Sequence, residues 1–162
     1  MGRPSVIATM QLKFLILLLL SSLISNSAIG ANRISSAYAA LEEPLTSADL
    51  EKIKGSKKWP GDYTINLKSV NPEIISSLKP LEDIHKISLS PDEGELSLDF
   101  LKPYRELKIL SISRNTGASE VELDGAFLAS FEGLQSLNVT DYPIRNIKAI
   151  GGISELSKLR LS

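Results

Sequence analysis

Ile84-His85-Lys86-Ile87-Ser88-Leu89-Ser90 decides how the rest of the chain is read, because its pattern returns three more times. The copies are Leu107 to Ser113, Leu134 to Thr140 and Leu156 to Ser162. Each has apolar residues at its first, fourth and sixth positions and closes on Ser or Thr. A weaker copy runs from Asp62 to Lys68, with Ile65 and Leu67 at the fourth and sixth positions. Starts at 62, 84, 107, 134 and 156 give spacings of 22, 23, 27 and 22. A unit of that length repeated in series marks a stacked architecture, in which each unit buries its apolar side against the next.

Within each copy the apolar residues alternate with polar ones, the period of a strand with one buried face. The alternation sends Ile65, Leu67, Ile87, Leu89, Leu110, Ile112, Leu137, Val139, Leu159 and Leu161 inward. The residues between them line up as outward columns on a parallel sheet. The middle column is Asn66, Ser88, Ser111, Asn138 and Arg160. It is flanked by Thr64, Lys86, Ile109, Ser136 and Lys158 on one side, and by Lys68, Ser90, Ser113, Thr140 and Ser162 on the other.

Between strands the chain needs a return path with apolar residues of its own. Ile75 and Leu78 follow Leu67 at offsets of eight and eleven, and Ile144, Ile147 and Ile150 follow Val139 at five, eight and eleven. These offsets have helical or 3₁₀ spacing. Leu96, Leu98 and Leu101 serve the coil after Leu89. The coil from Leu107 is the longest, and its extra residues are expected in Thr116 to Gly125, before the helix-like Ala126 to Phe131. Val121 and Leu123 alternate with Glu120, Glu122 and Asp124, a pattern that allows a small extra strand.

Upstream of the repeats, Asn32 to Ala40 reads as a small, polar, flexible leader. Thr46 to Gly55 reads as a short helix: Thr46 or Ser47 can accept from the free amides at its start, Asp49 and Glu51 suit its positive end, and Lys52 and Lys54 suit the other. Leu41, Leu45, Leu50 and Ile53 could then cover the apolar side of the first coil as a capping helix. Trp59-Pro60-Gly61 makes the turn into that coil, with Trp59 packed on it.

Met1 to about Gly30 has the pattern of a cleaved signal. Arg3 and Lys13 precede an uninterrupted apolar run from Phe14 to Ile24, and the small, polar Ser25 to Ala31 follows, with Ala28-Ile29-Gly30 placing cleavage before Ala31. An apolar run of that length falls well short of the ~20 residues that span a bilayer. The expected location is therefore outside the cytoplasm, secreted or in the cell envelope.

The chain carries 18 Lys and Arg against 19 Asp and Glu, for a net charge of −1. No basic stripe of the kind that holds nucleic acid is present. There is no cysteine, so neither disulfides nor thiol chemistry contribute. His85, the one histidine, occupies a repeat slot that is normally exposed and reads as solvated rather than as a base or ligand. Asp92-Glu93-Gly94-Glu95, with Asp99, lacks the spacing of a calcium loop and reads as an acidic turn. Lys54, Lys57 and Lys58 read as a solvated helix end. Asn138-Val139-Thr140 is a glycosylation sequon, but it falls in a strand.

The L-x-x-L-x-L pattern at this period, followed by an apolar return, resembles the leucine-rich repeat family over Gly61 to Ser162, most closely its bacterial, internalin-type class. The family's Asn after the strand is matched only by Asn115, with Val70, Asp92 and Tyr142 at the corresponding places. The resemblance implies an α/β solenoid of about four and a half coils over 61–162, with a short parallel sheet on its concave side and irregular or helical returns. It also implies that the sheet is the binding surface, with Asn66, Lys86, Ser88, Ser111, Asn138, Lys158 and Arg160 as the residues meeting a protein partner.

The expected function is an exported, non-catalytic protein-recognition module with no cofactor, no metal, no nucleic acid and no stable membrane span once the signal is removed. An exported enzyme or inhibitor subunit acting through the acidic turn or the Thr116 to Gly125 insertion is the alternative. A truncated repeat protein without independent function is a third reading. Leu156 to Ser162 completes a strand without a return segment, so an uncapped edge and self-association through it are also expected.

Overall fold

Alternating apolar residues, with no glycine or proline inside the repeated segments, draw them into strands. The computed structural model describes residues 32–91, 96–114 and 121–162. The signal-like segment, the Asp92 to Glu95 part of the acidic turn, Asn115 and the Thr116 to Glu120 half of the Thr116 to Gly125 insertion lie outside these residues. Along the chain run β1 (Arg33–Ile34), β2 (Tyr38–Leu41), helix α1 (Ser47–Lys54), β3 (Thr64–Leu67), α2 (Pro72–Ser77), β4 (Lys86–Leu89), a 3₁₀ turn at Asp99–Leu101 and β5 (Ile109–Ser113). Then come β6 (Leu123–Asp124), α3 (Gly125–Leu128), β7 (Ser136–Thr140), β8 (Ile144–Arg145), a 3₁₀ helix at Ile147–Gly152 and β9 (Lys158–Leu161).

Seven strands form one sheet in the order β1-β2-β3-β4-β5-β7-β9, antiparallel only at the β1–β2 pair. The fold is α/β, with a mostly parallel sheet and few helices. Register is constant across the repeats: Ile65 pairs with Ile87, Ile87 with Leu110, Leu110 with Leu137 and Leu137 with Leu159. A slip of one residue would turn every leucine out to solvent, which is what holds this register. Ile65, Leu67, Ile87, Leu89, Leu110, Ile112, Leu137 and Val139 are all buried. Leu159 and Leu161 point to the same side but are 51% and 38% exposed, because no described residue packs over them.

The second layer of the core comes from the returns. Ile74, Leu78, Leu81 and Ile84 are buried after β3, Leu96, Leu98, Leu101, Tyr104 and Leu107 after β4, Leu128, Phe131 and Leu134 after β5, and Ile150 and Ile153 after β7. Two details differ from the sequence expectation. Ile74 rather than Ile75 is buried, because Asn71 caps α2 by accepting from the Ile74 amide and Pro72 opens the helix, which sets its phase one residue earlier. Ile147 is half exposed. It opens its 3₁₀ helix directly after Asn146, whose left-handed backbone (φ 53°) turns the chain at the surface.

The stretch Asn32 to Ala40, expected as a leader, contributes two strands. Tyr38–Leu41 extends the parallel sheet, with Ala39 paired to Ile65, Leu41 paired to Leu67, and both fully buried. Helix α1 forms where expected: Thr46 and Asp49 make a reciprocal capping box, and Ile53 is buried in the core. Trp59 meets the ring of Tyr63 edge-on, 5.9 Å between centroids. Tyr142 buries its ring, after Asp141 in a left-handed conformation (φ 63°). The small extra strand does form: β6 pairs in parallel with β8, away from the main sheet.

The open face of the parallel sheet

The pairing that buries the leucines lays the alternate residues in rows across the other face. Asn66, Ser88, Ser111, Asn138 and Arg160 are register partners in turn across β3, β4, β5, β7 and β9. Thr64, Lys86, Ile109, Ser136 and Lys158 form the next row. Neighbouring members of a row are about 4.8 Å apart, the spacing of strands. Asn66, Lys86, Ser88, Ser111 and Asn138 are half-buried by their neighbours, while Lys158 and Arg160 are exposed. The structure therefore brings all seven expected contact residues onto one face.

Hydroxyls and amides bond along the rows. Asn138 Nδ2 donates to Ser111 Oγ at 3.2 Å, the Ser90 and Ser113 hydroxyls meet at 3.1 Å, and those of Thr140 and Ser162 at 3.2 Å. Two acceptors are left over: Asn66 Oδ1 and Asn138 Oδ1 are buried and have no hydrogen-bond partner. An unpaired buried acceptor costs about 1–3 kcal/mol, a local cost that the packed face carries at both places. With its amide nitrogen bonded and its oxygen enclosed, Asn138 is poorly placed to receive a glycan once folded.

The charge on this face is one-sided. Lys68, Lys86, Lys158 and Arg160 occupy it, and no Asp or Glu lies in its rows across β3 to β9. Lys86 Nζ donates to Asp62 Oδ1 at 2.7 Å from the strand's start, and this bond and charge hold the Asp62 carboxyl below its ordinary value. An open hollow of about 470 Å³ lies over the β7–β9 end, with Asn138, Lys158 and Arg160 in its lining.

Tyr38 is the face residue that sequence reasoning missed. It is the register partner of Thr64 and is 46% exposed, which puts a large aromatic at the opposite end of the row from Lys158. The signal was the Ala39 and Leu41 alternation, which is too short and too alanine-rich to stand out as a strand.

Among the described residues no group of three His, Cys, Asp or Glu could hold a metal ion, and no helix is long and apolar enough to cross a membrane. His85 is half-buried, and Lys54, Lys57 and Lys58 are exposed. Asp99, at the described end of the acidic turn, pairs with Lys102 at 2.7 Å.

Away from the sheet face, Asp124 ties β6 to β8. Its Oδ1 accepts from the Ala126 amide (2.9 Å) and from Asn146 Nδ2 (3.2 Å), and its Oδ2 accepts from Arg145 Nη2 (3.1 Å). The Asn146 bond first and the Ala126 amide second hold the carboxyl below its ordinary value. A lowered folded value means that this carboxylate stabilises the fold above the ordinary carboxylate range, about 3.9, and stops doing so as pH falls through the lower value. Urea titrations between about pH 6 and about pH 2 should show Asp124→Asn losing part of the acid-dependent decline seen in the wild type. An unchanged slope would mean that Asp124 is not held in this network.

No family model, no curated protein and no solved structure matches the chain.

Proposed function

We propose that this chain is an exported, non-catalytic recognition module built as a leucine-rich-repeat-type solenoid, which binds another protein through the open face of its sheet. The observation that carries the reading is the unbroken register from β3 to β9, which presents the same positions of every repeat on one surface. A face fixed by a stacked core binds without much reordering, and so loses little entropy on association. Tyr38 at one end and Arg160 at the other are the residue types that anchor interfaces, and the short polar side chains between them leave the backbone approachable. In this reading α1 seals the first coil, and residues 1–30 direct export and are removed.

The test compares substitutions on two surfaces. Tyr38→Ala with Ser111→Glu should abolish capture of a partner from the exported proteome, while Asp99→Ala and deletion of Thr116 to Glu120 should leave it intact. The opposite result would favour the enzyme or inhibitor reading through the acidic turn or the insertion. Mass spectrometry of the exported chain should give a start near Ala31. An intact amino terminus would contradict removal of the signal.

A further inference from the structure

A groove of about 240 Å³ separates residues 96–98 from β6, lined by Leu96, Ser97 and Leu98 on one side and by Glu122, Leu123 and Asp124 on the other. We infer that it takes up a short extended segment of another protein, alternating basic with apolar residues, as a strand added beside β6. The backbone of β6 makes the first part of the case. Its Leu123 amide donates to Pro143 O at 2.8 Å, on the side of β8. Amides alternate in direction along a strand, so those of Glu122 and Asp124 point away from β8, into the groove. Among the described residues no strand pairs with β6 on that side.

The facing wall has the form of a strand without a partner. Leu96 and Leu98 are buried and Ser97 between them is exposed, the alternation of a strand with one covered face. Yet the amides of these three residues make no hydrogen bond among the described residues. Buried residues seldom leave their amides unpaired. An extended segment in the groove brings acceptors to this wall and to β6 together.

The side chains set what that segment carries. Glu122 and Asp124 stand outward on either side of the buried Leu123. Asp124 is bonded to Arg145 and Asn146, and Asp99, at the groove's end, is bonded to Lys102. Arg145 also lines the groove, with its guanidinium committed to Asp124. Glu122 belongs to none of the ion pairs among the described residues. Lysine or arginine opposite Glu122 makes a stabilising cross-strand pair, and glutamate there a destabilising one. Apolar residues at the alternate positions fall in line with Leu123. The segment of this chain with that pattern, Lys158–Leu161, is bonded to β7 and so is not free to enter the groove of a second copy. Strand addition draws its affinity from main-chain bonds and its selectivity from alternate side chains. Because β6 lies outside the main sheet, the groove is independent of recognition through the open face.

The probe is a fluorescein-labelled peptide alternating lysine with valine, with a glutamate–valine peptide as control, read by anisotropy against the full chain. The lysine peptide should bind and the glutamate peptide should not. Glu122→Lys should weaken binding at least about tenfold. Glu43→Lys, the same charge change at an exposed residue outside the groove, should leave it unchanged. Hydrogen exchange on the wild type avoids any dependence on variant folding: the Glu122 and Asp124 amides should gain protection with the lysine peptide bound. Equal binding of both peptides, no binding, equal loss in the two glutamate variants, or no added protection at those two amides would overturn the inference. So would binding that appears only after deletion of Thr116 to Glu120, which would assign the groove to this chain's own insertion. A dimer in light scattering that the peptide dissociates would overturn it too, in favour of a second copy.

Discussion

Leu110→Ala should cost about 2–5 kcal/mol of folding stability, and Leu137→Ala a similar amount. Both side chains are buried and are register partners on adjacent strands of the stack. Removing either takes apolar surface out of a packed layer that other strands hold rigidly on both sides, so the cavity has little room to collapse. Because they are in contact, the double variant should depart from additivity by about 0.5 kcal/mol or more. The control is Ser88→Ala on the opposite face, expected within about 0.5 kcal/mol of the wild type. Ser111 is a poorer control, since it accepts a bond from Asn138. Urea denaturation of the four variants decides the matter. Equal losses at Leu110 and Ser88 would mean that the inward and outward rows are exchanged.

Tyr63→Ala carries the second large effect, about 3–5 kcal/mol. Tyr63 stands where the other repeats have His85, Lys108, Gln135 and Ser157, yet it is fully buried. Its ring packs edge-on against Trp59, and its hydroxyl donates to Ser35 O at 2.9 Å. That bond fastens the turn leading into β2 to the start of β3, so the side chain joins the two strands through packing and through a hydrogen bond. Burial raises its pKa, which keeps the hydroxyl a donor through neutral and mildly alkaline pH. Tyr63→Phe separates the two contributions and should lose only about 1 kcal/mol. In Tyr63→Ala, amide exchange should accelerate at Tyr38–Leu41 more than at Ser136–Thr140. Uniform acceleration would mean that Tyr63 supports the whole core rather than this junction.

The contrast between Tyr63 and Leu110 shows what could be read in the chain. Leu110 belongs to a pattern repeated at near-constant intervals, and periodicity of that kind reports strand, face and register together. The four strong copies therefore place the strands β4, β5, β7 and β9, and the weaker copy places β3. Tyr63 and Tyr38 each break a local rule. One is buried in a slot that is exposed or half-exposed elsewhere, and the other sits on a strand of which two of the four residues are alanine, whose propensity for strands is low. Both depend on neighbours distant in sequence: Ser35 for Tyr63, whose ring also meets the nearby Trp59, and β3 for Tyr38. Ile74 and Ile147 were misplaced for a nearer reason, since a capping asparagine and a left-handed residue reset the phase of the returns and apolar spacing alone does not record them. On the face, the seven polar candidates were legible because they are the complement of the leucines. The one-sided charge, the enclosed oxygens of Asn66 and Asn138 and the aromatic at the far end needed the rows assembled in space.

The absence of cysteine makes the central claim directly measurable, because any disulfide then comes from introduced residues alone. Cα atoms on register-paired parallel strands sit about 4.8 Å apart, within the about 4.4–6.8 Å that a disulfide spans. The measurement is disulfide formation under mild oxidation in three double-cysteine variants, read by mass spectrometry of the monomer. Ser88→Cys with Ser111→Cys, and Ser111→Cys with Asn138→Cys, should cross-link completely, because each pair shares a row on one face. Ser111→Cys with Val139→Cys should not, since the two side chains point to opposite faces. Failure of the first two pairs, or cross-linking of the third as readily as theirs, would contradict the strand register on which the proposed recognition face depends.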